Sequence, residues 1–412
     1  MSGPGKQLIG EEEIARVVAV LRSGYLSRYG PDDDPAFAAN VRTLEDRVAA
    51  WTGVGHAVAT NAGTSAIWIA LSALDIGPGD EVIVPGFTYV ASISAVIYAR
   101  AVPVLAEVDE SLNLDPRDVE ARITERTRAI LAVHMLGNPA RLAELREIAD
   151  RHGIALVEDC AQAFGATYRG QGVGSFGAAG AISFNEYKTI TCGDGGMLVT
   201  DDEDLYRRAF ALHDQGHLPF RRGTEIGNRP LLGMNFRMTE LSAAVLQAQM
   251  DRLPAILATL RSNRDALRDR IADLPGIRFR DHPDPDGDIA THLVVLFPTA
   301  AQARSVSSAL GSRVLADSGW HIYSQMEHVL SRRTAVPRGC PFDCPCTHPG
   351  APGYRPGMLP RTDDIVGRAM TIGIGVSDRN LGSSWGLTIR SDAATIDRRA
   401  AELRQAWDAS AG

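Results

Sequence analysis

Apolar runs and amphipathic stretches alternate through the first two thirds of the chain. HAVAT (56–60) predicts a strand, and TSAIWIALSAL (64–74), with apolar residues at helical spacing, predicts a helix. EVIVP, TYVASISAVIYAR, PVLAEV, a helix opening at Asp115-Pro116, AILAVHML, RLAELREIADRHG and ALVEDC continue the alternation. The strands are almost wholly apolar, as strands covered on both faces are. Alternation of this kind implies right-handed crossovers and an α/β fold, a mainly parallel sheet with helices on both sides. AGAISFN and GGMLVTD predict two more strands around a loop that holds Lys188. A helical pattern from Arg237 to Leu253 is expected to stop at Pro254. Beyond it, helix, IRFRDHP, HLVVLFP, helix, TIGIGV and a final helix over 396–409 predict a smaller α+β domain. The expected division is therefore a large domain over 1–250, including the N-terminal segment, and a small one over 251–412. Residues 337–364, PRGCPFDCPCTHPGAPGYRPGMLPRTDD, are too rich in proline and glycine for regular structure. A loop of that length in a compact domain is usually functional.

The composition is that of a globular chain: 412 residues, 45% hydrophobic and 22% charged. A net charge of -8 disfavours nucleic acid and anionic membrane as partners. No apolar run reaches the ~18 residues of a membrane span, and the N-terminus lacks the apolar core of a signal peptide. The cytoplasm is the expected compartment, and five cysteines without framework spacing fit its reducing conditions. Of 42 basic residues only Lys6 and Lys188 are lysines. A GC-rich coding bias replaces lysine by arginine wherever positive charge alone matters, but arginine does not deprotonate to a nucleophilic amine. Lys188 is thus a candidate for covalent chemistry.

Other candidates gather at predicted strand ends. Asn61-Ala62-Gly63-Thr64-Ser65 follows a strand and opens a helix, which suits either a simple cap or a phosphate held by free N–H groups. VEDCAQAFGA puts Asp159 and Gln162 at the end of an apolar strand, where a carboxylate needs a cationic partner or serves as a cap. PGFTYV puts Tyr89 just past another, to stack on a flat ligand or to fill core. Together these suit pyridoxal 5'-phosphate (PLP), which needs an amine for its aldehyde, an acid for its pyridine nitrogen, a phosphate cup and an aromatic for its ring.

The order GTS, PGFTYV, VEDCAQAFGA, SFNEYKTITCGDGG and GMNFRMTELSAAVLQAQ resembles the DegT/StrS family of PLP-dependent sugar aminotransferases, over about residues 10 to 250. The resemblance implies the fold-type-I architecture with a mainly parallel seven-stranded sheet. It also implies a homodimer with shared active sites and glutamate or glutamine as amino donor. Residue by residue, it implies that Gly63, Thr64 and Ser65 form the phosphate cup and that Tyr89 stacks on the ring. Asp159 would meet the pyridine nitrogen, Ala161 the other ring face, Gln162 the ring hydroxyl and Ser183 the phosphate. Lys188 would carry the Schiff base, and Asn235 would reach the phosphate of the other subunit. Relatives that have become dehydratases carry histidine in place of the lysine, so Lys188 points away from them.

The KTITCGDGG, HDQGH, PDPDGD and GWHIYSQMEH segments look most similar to the branch that aminates the terminal carbon of the eight-carbon sugar acid KDO. The wider expectation is amination of a keto or aldehyde sugar, sugar acid or cyclitol in amino-sugar or antibiotic biosynthesis. Arg221, Arg222, Trp320, His321, Tyr323, Tyr354 and Arg355 are the candidate substrate contacts, each also readable as ordinary surface or packing. Cys340, Cys344, Cys346 and His348 offer soft metal ligands, but their C-x3-C-x-C-x-H spacing departs from zinc and iron–sulfur patterns. No metal is expected, and free thiols in a substrate lid are preferred. The alternatives are a different outcome of the same PLP chemistry (dehydration, cyclisation or oxidation) and a non-catalytic PLP-binding regulator.

Overall fold

The computed structural model describes residues 2–219, 227, 229–336, 338–343 and 353–410. Its helices are α1 (Pro4–Gln7), α2 (Glu11–Ser23), α3 (Asn40–Thr52), α4 (Gly63–Ala73), α5 (Val90–Tyr98), α6 (Pro116–Ala121) and α7 (Leu142–His152). They continue with α8 (Glu203–His213), α9 (Glu240–Asp269), α10 (Ala300–Ala309), α11 (Glu327–Leu330), α12 (Pro360–Gly367) and α13 (Ala393–Ala409). Strands β1 (His56–Thr60), β2 (Glu81–Pro85), β3 (Val102–Ala106), β4 (Thr127–Val133) and β5 (Ala155–Asp159) precede a small hairpin, β6 (Thr167–Tyr168) with β7 (Gln171–Gly172). Then come β8 (Ala179–Ser183), β9 (Gly196–Thr200), β10 (Arg278–Phe279), β11 (His292–Leu296), β12 (Ala369–Ile374) and β13 (Gly386–Leu387).

The large sheet has seven strands in the order β1-β9-β8-β5-β4-β2-β3. Only β9 runs against its neighbours; β8, β5, β4, β2 and β3 pair in parallel. The apolar strands divide their side chains between two cores. On β4, Ile130 and Ala132 face one, while Ala129, Leu131 and Val133 face the other. A second sheet, β10-β11-β12-β13, carries the C-terminal part of the chain. This is the expected α/β arrangement, a mainly parallel seven-stranded sheet with a smaller second sheet. No described helix is long and apolar enough to cross a membrane.

Three expectations need correcting. The helix expected to end at Pro254 continues through it to Asp269. A mid-helix proline costs about 3 kcal/mol, and burial of Leu253, Ile256, Leu257 and Leu260 on both sides of it offsets that loss. The irregular stretch 337–364 is not loop to its end, because Pro360 opens α12 at the first helical position. Cys340 is not a free thiol: it is disulfide-bonded, whereas Cys160 and Cys192 are free.

Candidate active site

A cavity of about 420 Å³ opens at the C-terminal edge of the parallel strands, within the size range of small-molecule sites. Its floor is the end of β5. Asp159 is buried there, and each carboxylate oxygen receives one donor, Ala161 N–H at 3.0 Å on Oδ1 and the Ser92 hydroxyl at 2.7 Å on Oδ2. The Ser92 hydroxyl is itself 2.8 Å from Thr88 Oγ1. Burial pushes the Asp159 carboxyl up; the Ser92 hydroxyl, the Ala161 amide, Lys188 and His134 pull it back down. Lys188 stands in the loop after β8 and lines the same cavity. Burial lowers its amine, and the carboxylates of Asp159 and Asp378 oppose that shift. The amine has no hydrogen-bond partner among the described residues.

The turn between β1 and α4 forms one wall. Ala62 caps α4 without a side-chain bond, and the N–H groups of Gly63, Thr64 and Ser65 have no partner among the described residues. Such a helix start favours an anion. A Cβ at Gly63 would come within 2.7 Å of Ser183 Cβ, so only glycine lets Ser183, the last residue of β8, approach this turn. Gln162 accepts from Leu136 N–H at 2.9 Å, which leaves its NH2 free toward the cavity.

The opposite wall comes from the second part of the chain. Residues 320–323 lie along 86–90 through Thr88 N–H to His321 O (3.0 Å), Val90 N–H to Trp320 O (2.9 Å) and Tyr323 N–H to Gly86 O (3.0 Å). These bonds bring His321 against Tyr89, ring centroids 5.2 Å apart, with Tyr89 still 44% exposed. His292, at the start of β11, joins them. The Thr291 hydroxyl lies 3.4 Å from Leu136 O and 3.1 Å from His292 Nδ1. His292 Nε2 is unpartnered, as is His321 Nδ1. Burial holds both imidazoles neutral, at about 3. Asp378 and Asn380 complete the wall.

Of the residues singled out from sequence, Gly63, Thr64, Tyr89, Asp159, Ala161, Gln162, Ser183, Lys188, Trp320 and His321 line this one cavity. Ser65 stands beside it with its hydroxyl committed to Asn61 Oδ1 at 2.7 Å. Asn235 lies off the cavity, bridged to Asp214. Tyr323 and Tyr354 are not cavity residues. The first is wholly buried, its hydroxyl giving to Asp363 (2.9 Å) and accepting from Leu359 N–H (3.0 Å), and the second gives its hydroxyl to Pro103 O (2.6 Å). An apolar ring with a satisfied hydroxyl is stable in a core. Arg355 is exposed and away from the cavity. Arg221, Arg222, Cys344, Cys346 and His348 lie outside the described residues. Thr88, Ser92, His292, Asp378 and Asn380 escaped the sequence reading.

These residues fit PLP: an unpartnered amine, a buried carboxylate for a ring N–H, free amides for a phosphate and an exposed aromatic face. One other cluster, His134, Glu158 and Cys160, has metal-ligand chemistry, but its groups are already spent. Glu158 accepts from Gly174, Phe176 and Gly177 N–H and from His134 Nε2, and His134 Nδ1 accepts from Ala140 N–H. It is a satisfied buried network.

The model of the DegT/DnrJ/EryC1/StrS aminotransferase family matches residues 7–322. The chain is 46% identical over 216 residues to the GDP-perosamine synthase of Caulobacter vibrioides, covering 52% of this chain and 57% of that protein. It is 41% identical over 262 residues to the L-glutamine:2-deoxy-scyllo-inosose aminotransferase of Streptomyces kanamyceticus, covering 62% of this chain and 61% of that one. The match thus spans less than two thirds of these curated relatives' length. The crystal structure of S. venezuelae DesV is 32% identical, with a TM-score of 0.75, over 96% of this chain and 94% of that one.

Proposed function

Because the chain belongs to the DegT/DnrJ/EryC1/StrS aminotransferase family, whose members depend on PLP, we propose that it transfers an amino group from glutamate or glutamine to a keto or aldehyde sugar, sugar acid or cyclitol. The observation that carries this reading is the pairing of Lys188, an unpartnered amine, with Asp159 in one cavity. Bound there, PLP supplies an aldehyde that takes up the amino group and a ring that holds the electron pair left on the substrate carbon. Lys188 is the residue that holds the cofactor. Burial lowers its basicity, the direction a base needs, and Nζ would carry the proton between the substrate carbon and the cofactor carbon on the other side of the transferred nitrogen. Asp159 would accept a hydrogen bond from the ring N–H. The Gly63–Ser65 amides, Thr64 and Ser183 would hold the phosphate, Gln162 the ring hydroxyl, and Tyr89 and Ala161 the two ring faces.

The wall facing Lys188 favours a hydroxyl-bearing acceptor. Asp378 offers a carboxyl group and His292 Nε2 an unpartnered ring nitrogen, whereas no arginine lines the cavity among the described residues. Hydroxyls of neutral sugars and cyclitols, which both donate and accept, suit such a wall. Arg221 and Arg222 keep their place as candidate substrate contacts. Amination of the terminal carbon of KDO is the second reading, favoured by the likeness of HDQGH and GWHIYSQMEH to that branch. We further propose a cytoplasmic homodimer in which Asn235 reaches the partner's phosphate. Leu232 and Met234, 96% and 60% exposed beside Asn235, support a covered surface there. The chain is also proposed to divide near residue 250, and its disulfide-bonded loop to act as a lid over the substrate, without metal or nucleic acid.

The test is transfer of label from 15N-glutamate or amide-labelled and amine-labelled glutamine into 2-deoxy-scyllo-inosose, a nucleotide-linked keto sugar and the oxidised eight-carbon sugar acid. Labelled amine in any of the three supports the main reading, label in the acid alone narrows it to the second, and label in none defeats both.

A further inference from the structure

The segment Ser2–Gln7 is built into the surroundings of Lys188, although nothing in it lines the cavity. Gly3 N–H donates to Glu186 O at 2.9 Å, and Lys6 pairs with Glu186 at 2.8 Å. Gln249, on α9, spans the two: its Oε1 accepts from Thr191 N–H at 2.9 Å and its Nε2 donates to Gly5 O at 3.0 Å. The other side of the segment is tied to the turn after β12. Ser2 and Ser377 exchange backbone bonds of 3.1 and 2.9 Å, and Gln7 Nε2 donates to Gly375 O at 2.7 Å. Ser377 precedes Asp378, which lines the cavity.

Two glycines allow this threading. A Cβ at Gly3 would stand 2.4 Å from Lys188 O and from Tyr187 C, and a Cβ at Gly5 would stand 2.8 Å from Ile190 Cα and 2.9 Å from Thr191 N. All of these are backbone atoms, so no rotamer change relieves the contact. Gly3 has φ -90° and ψ 173°, and Gly5 is helical; any residue adopts either conformation. Glycine is required at both places by close approach alone.

We infer that Gly3 and Gly5 are positioning residues for Lys188: the Ser2–Gln7 segment straps the lysine loop to α9 and to the Asp378 turn, and so sets where the amine stands against the opposite wall. This rests on Lys188 being the residue that holds PLP. A segment that merely added packing would itself give way when a methyl is added at Gly3 and leave the lysine loop as it is.

The experiment compares the full chain with its Gly3→Ala and Gly5→Ala variants. In cofactor-free protein, hydrogen exchange followed by mass spectrometry reads the amides of 186–192 and 375–378; in PLP-loaded protein, a pH titration of the visible band reads the setting of the lysine. Each variant is expected to speed exchange in both segments by about tenfold or more, with α10 and α13 unchanged, and to move the midpoint by at least about half a pH unit. Lys6→Met, which removes an exposed ion pair, should do neither. Parent-like exchange and midpoint in Gly3→Ala would overturn the inference. Should the glycine variants not fold, Gln249→Met, which keeps the volume and removes both of these bonds together with a 3.3 Å bond from Nε2 to Glu13 Oε1, is read the same way, and parent-like values in it count equally against the strap. A parent without a visible band contradicts the role of Lys188, while the exchange data still decide the strap.

Discussion

Ser92→Ala tests how Asp159 is kept ionised in a dry site. The substitution removes the 2.7 Å hydroxyl donor to Oδ2 and leaves that oxygen buried without a partner. Thr88 is not orphaned, because its hydroxyl also reaches Tyr89 O at 3.4 Å. A hydrogen bond to a charged group contributes about 1.5–3 kcal/mol, so its loss should disfavour the ionised form of Asp159 by about 10- to 100-fold, at about 1.4 kcal/mol per factor of ten. Burial raises the Asp159 pKa and the hydroxyl lowers it, so removing the hydroxyl leaves the effect of burial less opposed. Ionised Asp159 is present above its pKa and lost as pH falls through it. The acid limb of the kcat profile should therefore move to higher pH, and kcat measured on that limb should fall by about 10- to 100-fold relative to the parent at the same pH. Steady-state kinetics at saturating cofactor across pH provide the assay. Thr88→Val, one bond further away, should cost less, about 2- to 10-fold for a neutral hydrogen bond of 0.5–1.5 kcal/mol. A Ser92→Ala enzyme with parent-like kcat and an unmoved acid limb would refute the reasoning.

Lys188→Arg should keep the fold, since a charge of the same sign replaces the amine, yet lose both the visible band of the bound cofactor and all transfer; measurable turnover would contradict the assignment. His213, His292 and His321 are buried and held at about 3, below the ordinary 6.5 of the unfolded chain. The unfolded state therefore binds more protons between those values, and stability should fall as pH drops from about 6.5 toward 3 by about 1.4 kcal/mol per unit per histidine. Melting temperatures of cofactor-free protein should show this decline, and His292→Gln should flatten it; an unchanged slope would refute the neutral burial of that ring. If Asn235 completes a partner's site, light scattering should find a dimer, and Asn235→Ala should release cofactor more readily; an active, PLP-retaining monomer would rule this out.

The parts of the site that were legible in sequence lie next to their own strands. Asp159 and Ser183 end β5 and β8, and Tyr89 and Gly63 follow β2 and β1 by a few residues, so strand order alone brings them to one edge. The wall opposite was harder to read. His292 starts β11 and Asp378 lies in the turn after β12, and no local pattern tells that either faces a cavity whose far wall, at Gly63, is more than two hundred residues earlier in the chain. Thr88 and Ser92 left a signal, two hydroxyls spaced i,i+4 at a helix start beside a strand end. Tyr323 and Tyr354 misled because an aromatic near a functional segment has no sequence feature that separates packing from contact. Pro254 misled because a proline's local penalty is fixed, whereas the packing that outweighs it is tertiary.

The central claim is that one lysine-centred cavity moves an amino group. The most direct test is the absorption spectrum of the purified, PLP-loaded protein before and after adding L-glutamate or L-glutamine, with the oxo acid released counted in the same sample. The proposed function predicts loss of the visible band and about one oxo acid per site, neither of which occurs in Lys188→Arg. An unchanged spectrum with no oxo acid from either donor, in protein shown to hold PLP, would contradict it.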